Sequence, residues 1–379
     1  MSAPVQTREG ALILDSHKLS YHYDRVEAWE SGQRFAPVSV DMALTRACSA
    51  MCSFCYAMIQ EAQERSPIKT EHALNLLDDF ATVGVRGVSL ISDGESTLSK
   101  AYVPFIQHAA NVGIDVGNAT NGWEWEPEKI EQVLPHLTWV RFTVAAGTPE
   151  GYARIMYKGP QHTEVFDRAM KHIRYAVELK ARKNLSVTLG TQMVLMPQFK
   201  DEIIPFAKLG LDLGVDYAVI KHCSDDEQHS LGVDYSKYAE MHDLLLKAEA
   251  MSTEKTKIIV KWDKIRDGNK PSYSRVYGPA FLLQISGSGL VAPAGMFFNA
   301  RYSKLHIGNF TEERFRDIFK SDRYWRTMNY LASPAFDAPR MMGTLPIAHY
   351  ANVALDNHVK GIAKISPAAG AKPLHVNFL

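Results

Sequence analysis

Between residues 38 and 223, short apolar runs alternate with longer stretches in which apolar residues recur at every third and fourth position. The candidate strands are 38–45, 87–92, 115–120, 139–145, 186–195 and 217–223, and the candidate helices between them include 72–83, 102–112, 127–134, 164–180 and 201–213. In the fourth of these helices Val165, Phe166, Ala169, Met170, Ile173, Ala176 and Val177 make one face. Strand–helix alternation repeated in this way implies an α/β fold, a parallel sheet covered by helices. Six units predict an open, partial (β/α)6 TIM-like barrel. In such barrels the chemistry sits at the C-terminal ends of the strands, where the connecting loops converge. Reactive and polar residues should therefore cluster just after each strand.

Beyond about residue 255 the pattern changes to a run at 257–262, a Gly/Ser turn at Ser286–Gly289 between apolar runs, and a closing helix at 312–328. The expected division is an N-terminal extension (1–36), the barrel (37–255) and a small C-terminal α+β domain (256–379). Lysine plus arginine equals aspartate plus glutamate at 42 each. That balance gives no positive field of the kind that binds nucleic acid. No stretch approaches the roughly 18 uninterrupted apolar residues of a membrane helix, and residues 1–10 lack the layout of a signal peptide. A cytoplasmic protein with neither a nucleic-acid nor a membrane partner is expected.

Three of the four cysteines fall in Cys48-Ser-Ala-Met-Cys52-Ser-Phe-Cys55, directly after the first candidate strand. So tight a cluster suits a reducing compartment rather than a disulfide framework. A structural zinc site usually needs four ligands, often as two C-x-x-C pairs, and the chain has no second pair. Three close thiolates can hold three irons of a cubane cluster and leave the fourth iron open. An open iron can chelate the amino and carboxylate groups of S-adenosylmethionine (SAM), and one electron then breaks a C–S bond. C-x-x-x-C-x-x-C after a first strand resembles the radical SAM superfamily, and Phe54 fills the aromatic position that precedes the last cysteine there. The resemblance covers roughly residues 36 to 225 and implies one [4Fe–4S] cluster on Cys48, Cys52 and Cys55, with SAM as the second cofactor.

After the second strand, Ser92-Asp93-Gly94-Glu95 resembles the family's glycine-rich motif that binds the SAM amino group, with Asp93 where glycine is commoner. Glu95 is the better acceptor for an ammonium, because a carboxylate makes the hydrogen bond charge-assisted. Asn118, Thr120 and Asn121 at the third strand, Arg141 and Thr143 on the fourth and Gln192 on the fifth are further candidate cofactor partners. Cys223 ends the sixth strand, and strand periodicity puts it on the same face as Lys221. A thiol on the barrel interior could give a hydrogen atom to a substrate radical, a role some radical SAM epimerases assign to a non-cluster cysteine; a small buried hydrophobe is the alternative. Lys221 is a second catalytic candidate, or the residue that holds a substrate carboxylate or phosphate. His222, on the opposite face, reads as structural.

The segment from Tyr277 through Asn309 and the helix after it resembles the extension of SPASM/twitch radical SAM enzymes, in which cysteines bind auxiliary clusters. This chain has no cysteine after Cys223, and the places to look for them, around Val276, Ala294, Met342 and Pro346, hold none. A single cluster favours redox-neutral outcomes: epimerisation, isomerisation or elimination. The expected activity is therefore hydrogen-atom abstraction from a small polar substrate, such as a sugar, nucleoside or amino-acid derivative. An external one-electron reductant such as flavodoxin or ferredoxin would serve it. Only about 36 residues precede the first strand, which leaves no room there for a leader-peptide domain. A ribosomal-peptide-modifying enzyme is the main rival, and a degenerate non-catalytic binding protein is the rival from another class.

Overall fold

The computed structural model describes residues 5–7, 10–58, 60, 67–157, 159, 162–267, 273–342 and 348–379. Its strands, numbered in chain order, are β1 (Val5–Thr7), β2 (Gly10–Leu12), β3 (Ser39–Met42), β4 (Gly87–Leu90), β5 (Asp115–Thr120), β6 (Leu137–Thr143), β7 (Thr188–Leu195), β8 (Tyr217–His222), β9 (Lys257–Val260), β10 (Leu282–Ile285), β11 (Leu290–Ala292) and β12 (Gly308–Asn309). β1 and β2 form a hairpin, and the other ten make one sheet in the order β12-β11-β10-β3-β4-β5-β6-β7-β8-β9. From β10 through β9 every pairing is parallel. β11 and β12 extend the β10 edge antiparallel. The six expected strand–helix units are β3 to β8. The sheet continues on both sides of them, since β9 pairs with β8 and β10 with β3.

The helices form where apolar positions recur at helical spacing, as in Thr70–Val83, Tyr102–Asn111, Glu164–Lys183 and Ile203–Leu213. Three of these end on left-handed residues suited to stopping a helix, Gly84, Asn184 and Gly214. Their buried faces join the sheet in one apolar core that includes Phe80, Phe105, Trp125, Phe142 and Phe206. The expected helix at 201–213 starts at Ile203, because a 3-10 turn, Pro197–Glu202, precedes it. The expected closing helix is two, Phe315–Lys320 and Asp322–Ala332. Ser321 separates them: its hydroxyl accepts from the Tyr324 amide at 3.2 Å, an N-cap that starts a second helix rather than continuing the first.

The two ends of the strand array differ in kind. At the N-terminal ends the last residues of the chain lie across the sheet. Leu374 bridges Leu12, Asn377 donates to Asp115 at the start of β5 (2.7 Å), and Trp139 meets the Phe378 ring at 5.6 Å. Buried Lys18 ties this tail down by donating to the carbonyls of His375 (3.0 Å) and Phe378 (2.5 Å). Leu12, Tyr217, Val219 and Ile259 make a small apolar cluster beneath. The opposite end carries the cysteine loop. Among the described residues, no helix is long and apolar enough to cross a membrane.

Candidate active site

The loop after β3 is held by backbone groups borrowed from its neighbours. Met51 and Ser53 amides donate to the carbonyls of Met156 (2.9 Å) and Ile155 (2.8 Å), at the C-terminus of helix Pro149–Met156. Those carbonyls would otherwise be left open by the end of the helix. The helix was not foreseen from the sequence. Thr148 caps its first turn, and buried Glu202 accepts from the Thr148 hydroxyl (2.7 Å) and the Gly147 amide (2.9 Å). On the other side the Glu95 amide donates to the Ala47 carbonyl (2.9 Å), and Asn121 donates to Ser49 (3.1 Å). Gly94 fits because a Cβ there would lie 1.9 Å from the Thr45 carbonyl oxygen. Only a residue without Cβ allows that approach.

Cys48, Cys52 and Cys55 thus sit on one anchored loop at the C-terminal mouth of the strands, with Cys48 exposed and the others half-buried. Although Cys48 is exposed as a residue, protein crowded around its sulfur pushes the thiol up, as do nearby Glu95 and Cys55. Burial also raises Cys52, followed by the proximity of Cys55 and Cys48. Cys52 Sγ touches Met156 Sδ at 3.7 Å. Three thiols whose negative charges would repel one another suit cationic irons, which would reverse that penalty. Among the described residues no three His, Cys, Asp or Glu side chains converge as ligands of one ion would. A cubane needs no such convergence, because each thiol meets a different corner. The donor set fits a [4Fe–4S] cluster.

The acidic residues after β4 have defined partners. The Asp93 carboxylate pairs with Arg46 (3.1 Å) and accepts from the Ser286 hydroxyl (2.6 Å) and the Gly287 amide (2.8 Å). It clamps the cysteine loop to the β10–β11 turn. Glu95 is buried and accepts from the Thr97 hydroxyl (2.7 Å), the Thr120 hydroxyl (2.9 Å) and the Asn121 amide (2.8 Å). Burial pushes its carboxyl up, against the pull of those hydrogen bonds. Thr120, Asn121 and Glu95 therefore form one unit at the end of β5.

Register sorts the remaining candidates. Arg141 lies opposite Gly190 and Thr143 opposite Gln192, so the three polar residues share a face. The alternate face of β6 carries Phe142, which packs on Trp125 (5.5 Å) in the helical layer. Arg141, Thr143 and Gln192 consequently face the barrel interior. Asn118, opposite Val140, faces the helices instead, with both side-chain polar atoms buried and unpartnered. Phe54 packs on the core, and its carbonyl oxygen is 4.0 Å from Cys223 Sγ.

Cys223 is fully buried and follows β8 on the same face as Lys221. Burial, then nearby Asp225, pushes its thiol up to about 12, so it stays protonated near neutral pH. Lys221 is brought down to about 7, first by burial and then by the positive charges of Lys264 and Arg141. His222 turns the other way, onto the rings of Tyr235 (5.9 Å) and Tyr238 (6.0 Å).

Sequence reasoning passed over several residues here. Asp41 on β3 is raised to about 6, mainly by burial. Tyr157 lies beside the cysteines and meets the Trp123 ring at 5.6 Å. Lys261 and Lys264 follow β9. An inward position on an adjacent strand was the available signal for Asp41 and Lys261; nothing local marks Tyr157. Val276 and Ala294, two of the places where auxiliary ligands were sought, are buried in an apolar cluster with Phe297, Tyr302 and Phe336. Of the other two, Pro346 lies outside the described residues.

Residues 42–209 match the family model described as the Radical SAM superfamily. The sporulation killing factor maturation protein SkfB of Bacillus subtilis (strain 168) is 28% identical over 123 residues, which is 29% of this chain and 29% of SkfB. The chain thus matches less than a third of the length of that curated relative. Among solved structures, Streptococcus suis SuiB bound to S-adenosylmethionine is 14% identical, over 82% of this chain and 72% of SuiB, with a TM-score of 0.59. Native anSMEcpe with bound AdoMet is 11% identical over 85% of this chain and 96% of that one, at a TM-score of 0.56. These structures share the fold, and the matched segment contains the cysteine loop, the Glu95 cradle and the inward residues of β6 and β7. The likeness to the radical SAM superfamily is carried by residues 42–209 of this chain.

Proposed function

We propose that the protein is a radical SAM enzyme that takes a hydrogen atom from a small polar substrate inside the barrel and returns one from Cys223, with no net change in substrate oxidation state. Cys48, Cys52 and Cys55 would hold the [4Fe–4S] cluster. Bound there, the cluster supplies the electron for reductive cleavage of SAM, which provides the abstracting radical. Glu95, Asn121 and the inward Thr143 and Gln192 are the polar groups disposed to hold SAM beside that loop.

The observation that carries this reading is the position of Cys223. Its sulfur lies 4.0 Å from the Phe54 carbonyl in the cysteine loop, on the inward face, and its thiol keeps its proton. In the return step the S–H bond breaks and a C–H bond forms. The sulfur radical left behind takes one electron and one proton, the electron from an external flavodoxin- or ferredoxin-type reductant. Anaerobic reconstitution followed by dithionite and SAM tests the first half: 5′-deoxyadenosine should form. A protein that binds iron and leaves SAM intact overturns the reading.

A second reading has its own support. SkfB is named as a maturation protein, and SuiB is known bound to the precursor peptide SuiA, in a structure matching 91% of this chain at a TM-score of 0.60. On that reading a peptide side chain enters the same mouth. A mass change in a co-purifying or neighbouring-encoded short peptide, dependent on SAM and reductant, would favour it over the small molecule.

A further inference from the structure

Beyond Cys223 the barrel interior turns strongly cationic. Val260 lies opposite Ile220, and the Lys261 amide donates to the Ile220 carbonyl at 2.9 Å, so the parallel register continues and sets Lys261 beside Lys221 on the same face. Lys264 lies one helical turn further on, in Trp262–Asp267. The ammonium groups of Lys261 and Lys264 stand 5.4 and 5.5 Å from the centre of one ring, that of Tyr350, which brings the two charges together over it. Arg141 reaches in from β6, its guanidinium 5.4 Å from the Trp139 ring and its Nε buried without a partner.

None of these four cations has a carboxylate within 4.0 Å among the described residues. The acids that face them are Asp41, whose contacts run to Gln284 (3.5 Å), and Asp15, which accepts from the Tyr350 hydroxyl and from the Asp263 amide (3.4 Å). With all four protonated, four cations would face two ionised acids, a formal excess of two positive charges that a bound anion would offset. Each of the four keeps partial solvent contact despite being surrounded by protein. Uncompensated charge in a low-dielectric setting is costly. The cost shows on the lysines themselves: burial brings Lys264 to about 8, against the pull of Asp15 and with the push of Arg141, and burial followed by the charges of Lys264, Arg141 and Lys221 brings Lys261 well below its ordinary value.

We infer that Lys221, Lys261, Lys264 and Arg141 form a site for a dianionic oxyanion, and that the substrate is a phosphate monoester held by its phosphate so that its carbon framework lies toward Cys223. The charge decides the class. A dianion neutralises the excess of two, whereas a monocarboxylate leaves half of it. Several donors on separate stems suit the spread oxygens of a phosphate. The inference rests on the reading of Cys223 and the cysteine loop above for its orientation, but the site itself needs neither cluster nor SAM.

The test is calorimetric titration and thermal unfolding of the anaerobically purified protein with inorganic phosphate, phenyl phosphate, succinate and acetate. Phosphate and phenyl phosphate should bind and raise Tm, with acetate inert. Lys261→Met and Lys264→Met should each weaken phosphate about tenfold or more, the loss expected for one charge-assisted contact. Without phosphate these variants should melt higher than the parent, because a like-charge neighbour is gone; a residue that merely supported the fold would melt lower. Lys304→Met, at an exposed position, is the control and should bind as the parent does. No saturable phosphate binding, or binding equal in all variants, overturns the site; succinate binding better than phenyl phosphate overturns the phosphate class. Phosphate binding without 5′-deoxyadenosine formation would sink the radical reading and leave the site standing, and the reverse result would do the opposite.

Discussion

Cys52, on the loop after β3, and Cys223, after β8, should respond differently to the same substitution. On the anchored loop Cys52 touches Met156, and Cys52→Ala removes one of the three proposed cluster ligands. Anaerobic iron analysis should fall from about 4 per chain to near zero. Cys223→Ala should leave iron content and 5′-deoxyadenosine formation intact while product falls below detection; unchanged product would remove the thiol from the mechanism. Lys221 gives a pH test. Its value of about 7 lies below its unfolded value, so its contribution to stability is present above about 10.5 and is lost as pH falls through 7. The stability advantage of Lys221→Met over the parent should therefore grow from pH 10 down to pH 7 and then level off, as read by urea unfolding.

At the scale of elements, the cysteine loop depends on groups far from it in sequence. Asp93 joins it to the turn between β10 and β11 through Arg46, Ser286 and Gly287, and the Asp93–Arg46 pair is almost completely buried. Asp93→Ala removes the acceptor shared by the buried Ser286 hydroxyl and Gly287 amide and should cost about 1–3 kcal/mol in chemical unfolding. Helix Pro149–Met156 supports the same loop from the other side, and Gly94 lets the β4 loop pass beneath it. Gly94→Ala should lower the iron bound per chain while leaving far-UV circular dichroism unchanged, since the clash is local to the loop. Retained iron would show that the loop can yield.

Over the whole molecule, the chain tail closes one end of the strand array and leaves the other for chemistry. Residues 374–379 cover Trp139 and the start of β5, and Lys18 fastens them. Removing residues 373–379 would expose Trp139 together with the Leu12–Tyr217 cluster, at a cost of at least about 3 kcal/mol from apolar area alone. A lower Tm and increased binding of a hydrophobic dye should follow; an unchanged melt would mean that the tail is only draped over the sheet.

The sequence by itself determined the strand–helix alternation from β3 to β8 and the placing of three cysteines just after β3. Both are written in short-range pattern: apolar periodicity distinguishes strand from helix, and three thiols within eight residues are chemically legible wherever they fold. Local pattern also put Lys221 and Cys223 on one face, and left to the tertiary structure which way that face points. It could not give the partners of Asp93 and Glu95, because Arg46, Ser286, Thr120 and Asn121 lie on other strand ends. Nor could it turn Asn118 toward the helices, which depends on how β5 is registered against β6. The cationic interior is the clearest case. Arg141 and Lys221 stand out only singly in their own segments, and parallel register across β6 to β9 sets them and Lys261 on one face. Tertiary structure decided the site because charge acts through space, and neighbours in a parallel sheet are separated in sequence by whole helices.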